Sequence, residues 1–263
     1  RALARATGGV FKRVQFTADL LPSDITGVNV YSAQTERFVF HPGPIFANVV
    51  LADEINRASP RTQSALLEAM SEGQVTTDDA TRRLSSPFLV IATQNPHEHH
   101  GTYPLPESQM DRFLLRLTIG YPDREVERRI VELQGFADKV DEMVRAVASP
   151  EEVEAAQKAV SGVAVSESVM DYALELVSQT RSSALLETGI STRGAVSLVA
   201  AARGAAAIRS RDYCIPDDIR DVFEPVCGHR VFVKGRGLSG ATAREEATAV
   251  LSEILARTPV PGD

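Results

Sequence analysis

An α/β domain followed by a helical domain is the fold class this sequence predicts, and three observations carry the prediction. The first is the run Val49-Val50-Leu51-Ala52-Asp53-Glu54. An unbroken apolar stretch of this length reads as a parallel strand covered by helices on both faces, which needs no alternation. The second is the recurrence of short apolar strands separated by helical patterns and polar insertions up to about Gly120. The third is the change after Gly120-Tyr121-Pro122 to alanine-rich stretches with helical spacing. The expected division is therefore an α/β core over residues 1–120 and a helical domain over 121–263.

Taken in order, Arg1-Ala2-Leu3-Ala4-Arg5-Ala6 reads as the middle of an amphipathic helix that stops at Gly8-Gly9. It shows no N-cap, so further residues are expected upstream. Four strands are expected, at Val14-Gln15-Phe16, from Ile45 to Ala52, from Phe88 to Thr93 and from Leu114 to Ile119. Turn or loop chemistry after each points to βαβ units and a parallel sheet. Two polar insertions interrupt them. Between Asp24 and Pro44, the β-prone pieces Val28-Asn29-Val30-Tyr31 and Arg37-Phe38-Val39-Phe40 flank Ser32-Ala33-Gln34-Thr35 and predict a hairpin. Gln74-Val75-Thr76-Thr77 and the stretch from Arg82 to Pro87, around Asp78-Asp79, predict a second.

One helix is marked at both ends. Ser59 is a good N-cap, Pro60 suits the first helical position, Ala65, Leu66, Ala69 and Met70 share a face, and Gly73 stops it. In the second domain, helices are expected over Arg124 to Phe136, Glu151 to Val160, Glu167 to Ser182, Thr192 to Arg209 and Thr242 to Arg257. Pro150, Gly162, Gly189 and Pro216 punctuate them.

Bulk properties narrow the function classes. With 28 basic and 35 acidic residues the formal net charge is -7, which argues against a nucleic-acid binder. Cys214 and Cys227 are the only cysteines, too few for a disulfide framework and without metal-site spacing; a reducing cytoplasmic setting is the simplest expectation. No stretch has the length and apolarity of a membrane span.

The chemistry points to the carboxylates. In open α/β sheets ligands bind at the carboxyl ends of the strands, where Asp53 and Glu54 fall. One carboxylate to hold a water-ligated Mg²⁺ and a second to polarise a water suits nucleotide hydrolysis. A solvated acidic pair at a strand end is the plain alternative. The partner motif G-x-x-x-x-G-K-[ST] is absent: the lysines are Lys12, Lys139, Lys158 and Lys234, and none follows a glycine.

Asn95, in Ala92-Thr93-Gln94-Asn95-Pro96, ends the next strand and could orient a water or touch a γ-phosphate; a turn-forming Asn before Pro is the alternative. Arg112 closes a short helical stretch beginning near Pro106-Glu107. Its place fits an arginine supplied to a neighbouring subunit's nucleotide, against the common reading of a surface ion pair with Asp111. Arg193, after Ser191-Thr192, could report nucleotide state through domain closure, where most arginines at helix starts are simply solvated. His97, His99 and His100 share one loop, and as a metal site they lack fixed geometry and a further ligand.

Dense motifs then resemble one family. Leu20-Leu21-Pro22-Ser23-Asp24-Ile25-Thr26-Gly27, Pro42-Gly43-Pro44-Ile45-Phe46-Ala47-Asn48 and Leu51-Ala52-Asp53-Glu54-Ile55-Asn56-Arg57-Ala58 closely resemble the MoxR family of AAA+ ATPases. So do Thr62 to Met70, Glu72-Gly73-Gln74-Val75, Ala92 to Pro96, Gly101 to Glu107 and Asp111-Arg112-Phe113. In the second part the likeness rests on Ser191-Thr192-Arg193-Gly194, Arg211-Asp212-Tyr213, Pro216-Asp217-Asp218-Ile219 and His229-Arg230. The resemblance implies ATP and Mg²⁺ as ligands, Asp53 and Glu54 as the Walker B pair, and Glu54 as the water activator. It also implies Asn95 as first sensor, Arg112 as arginine finger and Arg193 as second sensor in the lid. The two hairpins resemble the family's helix-2 insert and the hairpin before the first sensor.

Such proteins form homo-oligomeric rings, usually hexamers, and act as chaperone-like motors that remodel, mature or activate protein complexes. They often work with a von Willebrand factor A domain protein. The phosphate loop is expected upstream of Arg1, so the chain as given is expected to be inactive alone. The competing expectation is a non-hydrolysing scaffold or regulatory ring subunit. A DNA-directed relative is disfavoured by the net charge.

Overall fold

The computed structural model describes residues 1–77, 80–94, 101–132, 143–235 and 241–262. They fall into two compact units. One comprises Arg1–Tyr103 and Thr118–Ala155, the other Pro104–Leu117 and Ala156–Asp263.

The first unit is built on a three-stranded parallel sheet of β1 (Phe11–Gln15), β4 (Val49–Asp53) and β7 (Leu89–Ala92), in the order β1-β4-β7. The central strand is apolar along its length because both of its edges are paired and Val50 and Ala52 are fully buried. Register sets Gln15 opposite Asp53 and Ala52 opposite Ala92. Helix α1 (Ala2–Ala6) precedes β1 and ends at Gly8, whose φ of +63° closes it. Helix α2 (Pro22–Thr26) leads into the first hairpin, β2 (Gly27–Ser32) with β3 (Arg37–Pro42), paired antiparallel.

Helix α3 (Pro60–Glu72) follows the expected signals. The Ser59 hydroxyl accepts the Thr62 N–H, Pro60 sits in the first turn, and Gly73 at φ 64°, ψ 18° takes the left-handed cap. Leu66 and Leu67 bury its inner face with Phe16, Ile25, Ile45 and Ile55, all fully or almost fully buried core residues. The second hairpin pairs β5 (Gln74–Thr77) with β6 (Ala80–Arg83), so its return strand begins nearer the turn than the expected stretch from Arg82. Thr76 and Thr81 hydroxyls meet across it at 3.1 Å, a cross-strand pair that favours this register.

One expectation fails. Leu114 to Ile119 is not a strand: no ladder forms there, and Leu117 and Ile119 are 74% and 96% exposed. The Arg116 N–H instead donates to the Pro225 carbonyl at 2.9 Å. Apolar content alone does not make a strand when the backbone groups find another partner and the side chains bury nothing.

The second unit holds α4 (Glu107–Met110), α7 (Glu167–Ser182), α8 (Thr192–Ile208), α9 (Pro216–Cys227) and α10 (Ala241–Arg257). Helix α5 (Arg124–Glu132) belongs to the first unit, and α6 (Pro150–Ser161) spans the division after Ala155. Leu176, Val177, Leu198, Ala202, Ile219, Phe223 and Leu251 form the centre of the second core. Helix α9, like α2, is not among the expected helices, because Pro216 reads only as a break. Pro216 occupies the first helical turn, with Asp217 and Asp218 beside it. The unit also contains a short antiparallel pair, β8 (Leu186–Thr188) with β9 (Phe232–Val233), so it is not purely helical.

Candidate active site

Strand β4 delivers Asp53, and Glu54 then turns the chain sharply. Its backbone is left-handed, at φ 55° and ψ 49°, and leads into a 3₁₀ turn over Ile55–Arg57. A glutamate in that region is costly and persists only where neighbours fix it. Thr93, just beyond β7, does so. Its hydroxyl accepts the Glu54 N–H at 2.9 Å and donates to Asp53 Oδ1 at 2.5 Å. Its carbonyl accepts the Ile55 N–H at 3.0 Å, and its own N–H donates to the Ala52 carbonyl at 2.9 Å.

Strand β1 supplies the other partners. Arg13 Nε and Nη2 donate to Asp53 Oδ2 at 3.1 and 2.5 Å. Gln15 Nε2 donates to Glu54 Oε2 at 2.8 Å, and Arg57 Nη1 reaches the same oxygen at 3.1 Å. Two guanidinium groups thus face two carboxylates whose side chains are 22% and 27% exposed. The Thr93 hydroxyl, and then Arg13, hold the Asp53 carboxyl below the usual carboxylate range, so it is ionised at neutral pH.

The donor set suits Mg²⁺. Hard carboxylate oxygens are its ligands, and Asp53 Oδ1 has acceptor capacity beyond the Thr93 bond. Among the described residues no group of three or more His, Cys, Asp or Glu gathers into a metal cage. A pair without a cage fits an ion that keeps most of its ligands as water and phosphate oxygens.

Arg112 and Arg193 belong to the second unit. Arg112 follows α4, its N–H donating to the Gln109 carbonyl at 3.2 Å, and is exposed. Arg193 is exposed in the first turn of α8, whose N-cap Ser191 accepts the Gly194 N–H at 3.0 Å. The residue before Arg112, Asp111, accepts from Ser191 Oγ at 2.8 Å, so the stretches carrying the two arginines touch. Asn95 and the histidines at 97, 99 and 100 lie outside the described residues. Among the described residues no helix is long and apolar enough to cross a membrane.

Sequence reasoning missed Arg13, Gln15, Arg57 and Thr93 as members of the site. A signal existed for two of them. Arg13 and Gln15 flank buried Val14 at strand spacing, so they share the face opposite the core. Nothing local marks Thr93, which matters through its neighbour in the sheet.

Residues 1–115 match the family model described as the ATPase family associated with various cellular activities (AAA), and residues 178–254 match the AAA lid domain. Chaperone MoxR1 of Mycobacterium tuberculosis is 39% identical over 98% of this chain and 69% of its own length. The uncharacterized protein YeaC of Bacillus subtilis is 46% identical over 99% and 80% respectively. The crystal structure of a "putative ATPase" from Cytophaga hutchinsonii superposes with a TM-score of 0.87 at 36% identity, over 99% of this chain and 81% of that one.

Proposed function

The chain belongs to the MoxR family of AAA+ ATPases, and from that premise we propose that it is the catalytic part of an ATP-driven ring that remodels protein complexes. The observation that carries this reading is the acidic pair at the carboxyl end of β4, with Glu54 held in a left-handed turn by Thr93. Glu54 takes the proton of the water that attacks the γ-phosphate, at an oxygen now bonded by Gln15 and Arg57. Asp53 would hold Mg²⁺, and the ion would supply charge stabilisation to the transferring phosphoryl group. Arg112 acts on a neighbouring subunit's nucleotide, Arg193 senses the subunit's own, and Asn95 orients the water.

The remaining assignments rest on the family. The ring is a hexamer in the cytoplasm, it works with a von Willebrand factor A domain protein, and its client is a complex that needs maturation or activation. Residues 1–120 form the ATPase core and 121–263 the lid.

A non-hydrolysing ring subunit is the second reading, and one observation favours it. Both carboxylates are engaged by Arg13, Gln15 and Arg57, which take up oxygens that a water and a metal ion would need. ATP turnover by the full-length protein and its Glu54→Gln variant separates the two. Hydrolysis predicts a loss of about 100-fold or more in the variant with nucleotide binding kept. Equal and negligible turnover in both would establish the scaffold.

A further inference from the structure

Arg230 is the most completely buried guanidinium among the described ion pairs, its side chain 1% exposed. It follows α9 and lies in the second unit. Its Nε donates to Asp111 Oδ1 at 2.8 Å. Nη2 also reaches the Asp111 carbonyl at 3.2 Å and the Phe113 carbonyl, and Nη1 reaches the Leu114 carbonyl at 3.2 Å and that of Val226. The acceptors at 111, 113 and 114 bracket Arg112, so one side chain fixes the backbone on both sides of it.

The stem of the same side chain packs against the start of α8. A Cβ added at Gly194 would lie 2.9 Å from Arg230 Cδ and 2.6 Å from Ile190 Cγ2, so Arg230 passes α8 where no side chain fits. Gly194 follows Arg193 directly. Asp111 closes the loop from the other side, accepting Arg230 on Oδ1 and the Ser191 hydroxyl on Oδ2. His229 adds a bond from its ring Nε2 to the Phe113 carbonyl at 3.0 Å.

A buried ion pair is a poor choice for stability alone, since apolar packing of similar volume does as well or better. What it supplies is direction: besides Val226 and the Ser197 hydroxyl, Arg230 bonds residues 111, 113 and 114 around Arg112, and its partner Asp111 bonds Ser191 just ahead of Arg193. We propose, resting on the reading of those arginines given above, that Arg230 and Asp111 are positioning residues that lock them into one body. A displacement of Arg193 on nucleotide exchange in one subunit is then passed to Arg112, which serves the next. Adjacent sites in the ring are coupled through this pin.

The test uses the full-length protein with Asp111→Asn, Arg230→Lys and Arg112→Ala, alone and combined, beside Glu54→Gln. Steady-state turnover against ATP concentration, affinity for a fluorescent nucleotide and melting temperature are measured. Asp111→Asn is isosteric at a partly exposed position and keeps the test open should Arg230→Lys fail to fold.

The expected result in either positioning variant is a fall in kcat of tenfold or more, with KM and nucleotide affinity within about twofold and the Hill coefficient reduced to 1. Added to Arg112→Ala, neither should lower kcat further. Unchanged kcat and cooperativity in folded Asp111→Asn, or losses that multiply with that of Arg112→Ala, would overturn the proposal. If Glu54→Gln hydrolyses as the parent does, the reading of the active site falls and the proposal with it. If Glu54→Gln is inactive while Asp111→Asn behaves as the parent, only the pin falls.

Discussion

Thr93 shows how much of the acidic site depends on one neutral side chain. Its hydroxyl serves the Glu54 N–H and the Asp53 carboxylate together. Thr93→Val keeps the shape and removes both bonds, leaving a part-buried N–H without its acceptor. We expect a loss of about 1–3 kcal/mol in chemical denaturation and a fall in kcat larger than any change in KM. The carboxylate pair itself was legible, because an apolar run ending in two acids is a local pattern. Thr93 was not, because its role depends on Asp53, 40 residues away in sequence.

His229 provides a pH prediction. Burial first, and then the charge of Arg230, push its ring down from 6.5 to about 4, against the opposing effect of its bond to the Phe113 carbonyl; Arg116 adds to the lowering and Asp111 resists it. The unfolded chain therefore binds a proton that the folded chain refuses between those values. Stability should be fully present above about pH 6.5 and fall as the pH drops toward 4, by up to about 3 kcal/mol. Denaturation midpoints of the parent and His229→Gln across that window check it, the variant showing the shallower slope.

Among the elements, those with chemical punctuation at both ends were readable. Helix α3 was bracketed by Ser59 and Gly73, and Ser59→Ala should cost about 1 kcal/mol. The first hairpin was readable from its alternation, but the residues that close its base were not. Gly27 sits at φ +94°, and a Cβ there would lie 2.4 Å from the His41 carbonyl; at Gly43 it would lie 2.1 Å from that of Ile25. Both sites need the backbone to approach a neighbour closely, which only glycine permits. Gly43→Ala should lower the melting temperature by more than Gly73→Ala, where nothing lies within 4 Å.

Helix α9 was passed over because its first residue is also a helix breaker. Its real marker is Asp218. That carboxylate is fully buried and accepts from Arg209, Arg211 and the Ile215 N–H. Burial alone would raise the Asp218 carboxyl, but the Arg211 bond leads a set of partners that brings it below its usual value. Asp218→Ala should lower the midpoint of thermal or chemical unfolding, since it removes the buried acceptor of the Ile215 N–H and of Arg211.

At the scale of the molecule, the class was legible and the tertiary bookkeeping was not. A parallel strand motif, hairpins and helical spacing suffice for an α/β part followed by a helical one. They cannot reveal that Pro104–Leu117 clusters with Ala156–Asp263, where Arg230 and His229 bond carbonyls far upstream. For the same reason Leu114 to Ile119 was misread as a strand.

The discontinuity of that unit also sets an order of events at the ribosome. Arg112 emerges while the groups that hold its backbone are still untranslated. At about 5–20 residues per second, Arg230 follows on the order of ten seconds later. Until then the nascent chain carries the acidic pair with no anchored arginine beside Asp111. A prematurely terminated product would therefore have the acidic pair but no fixed backbone around Arg112. Synthesis past Arg230 is thus built into the geometry as a condition for anchoring the stretch around Arg112.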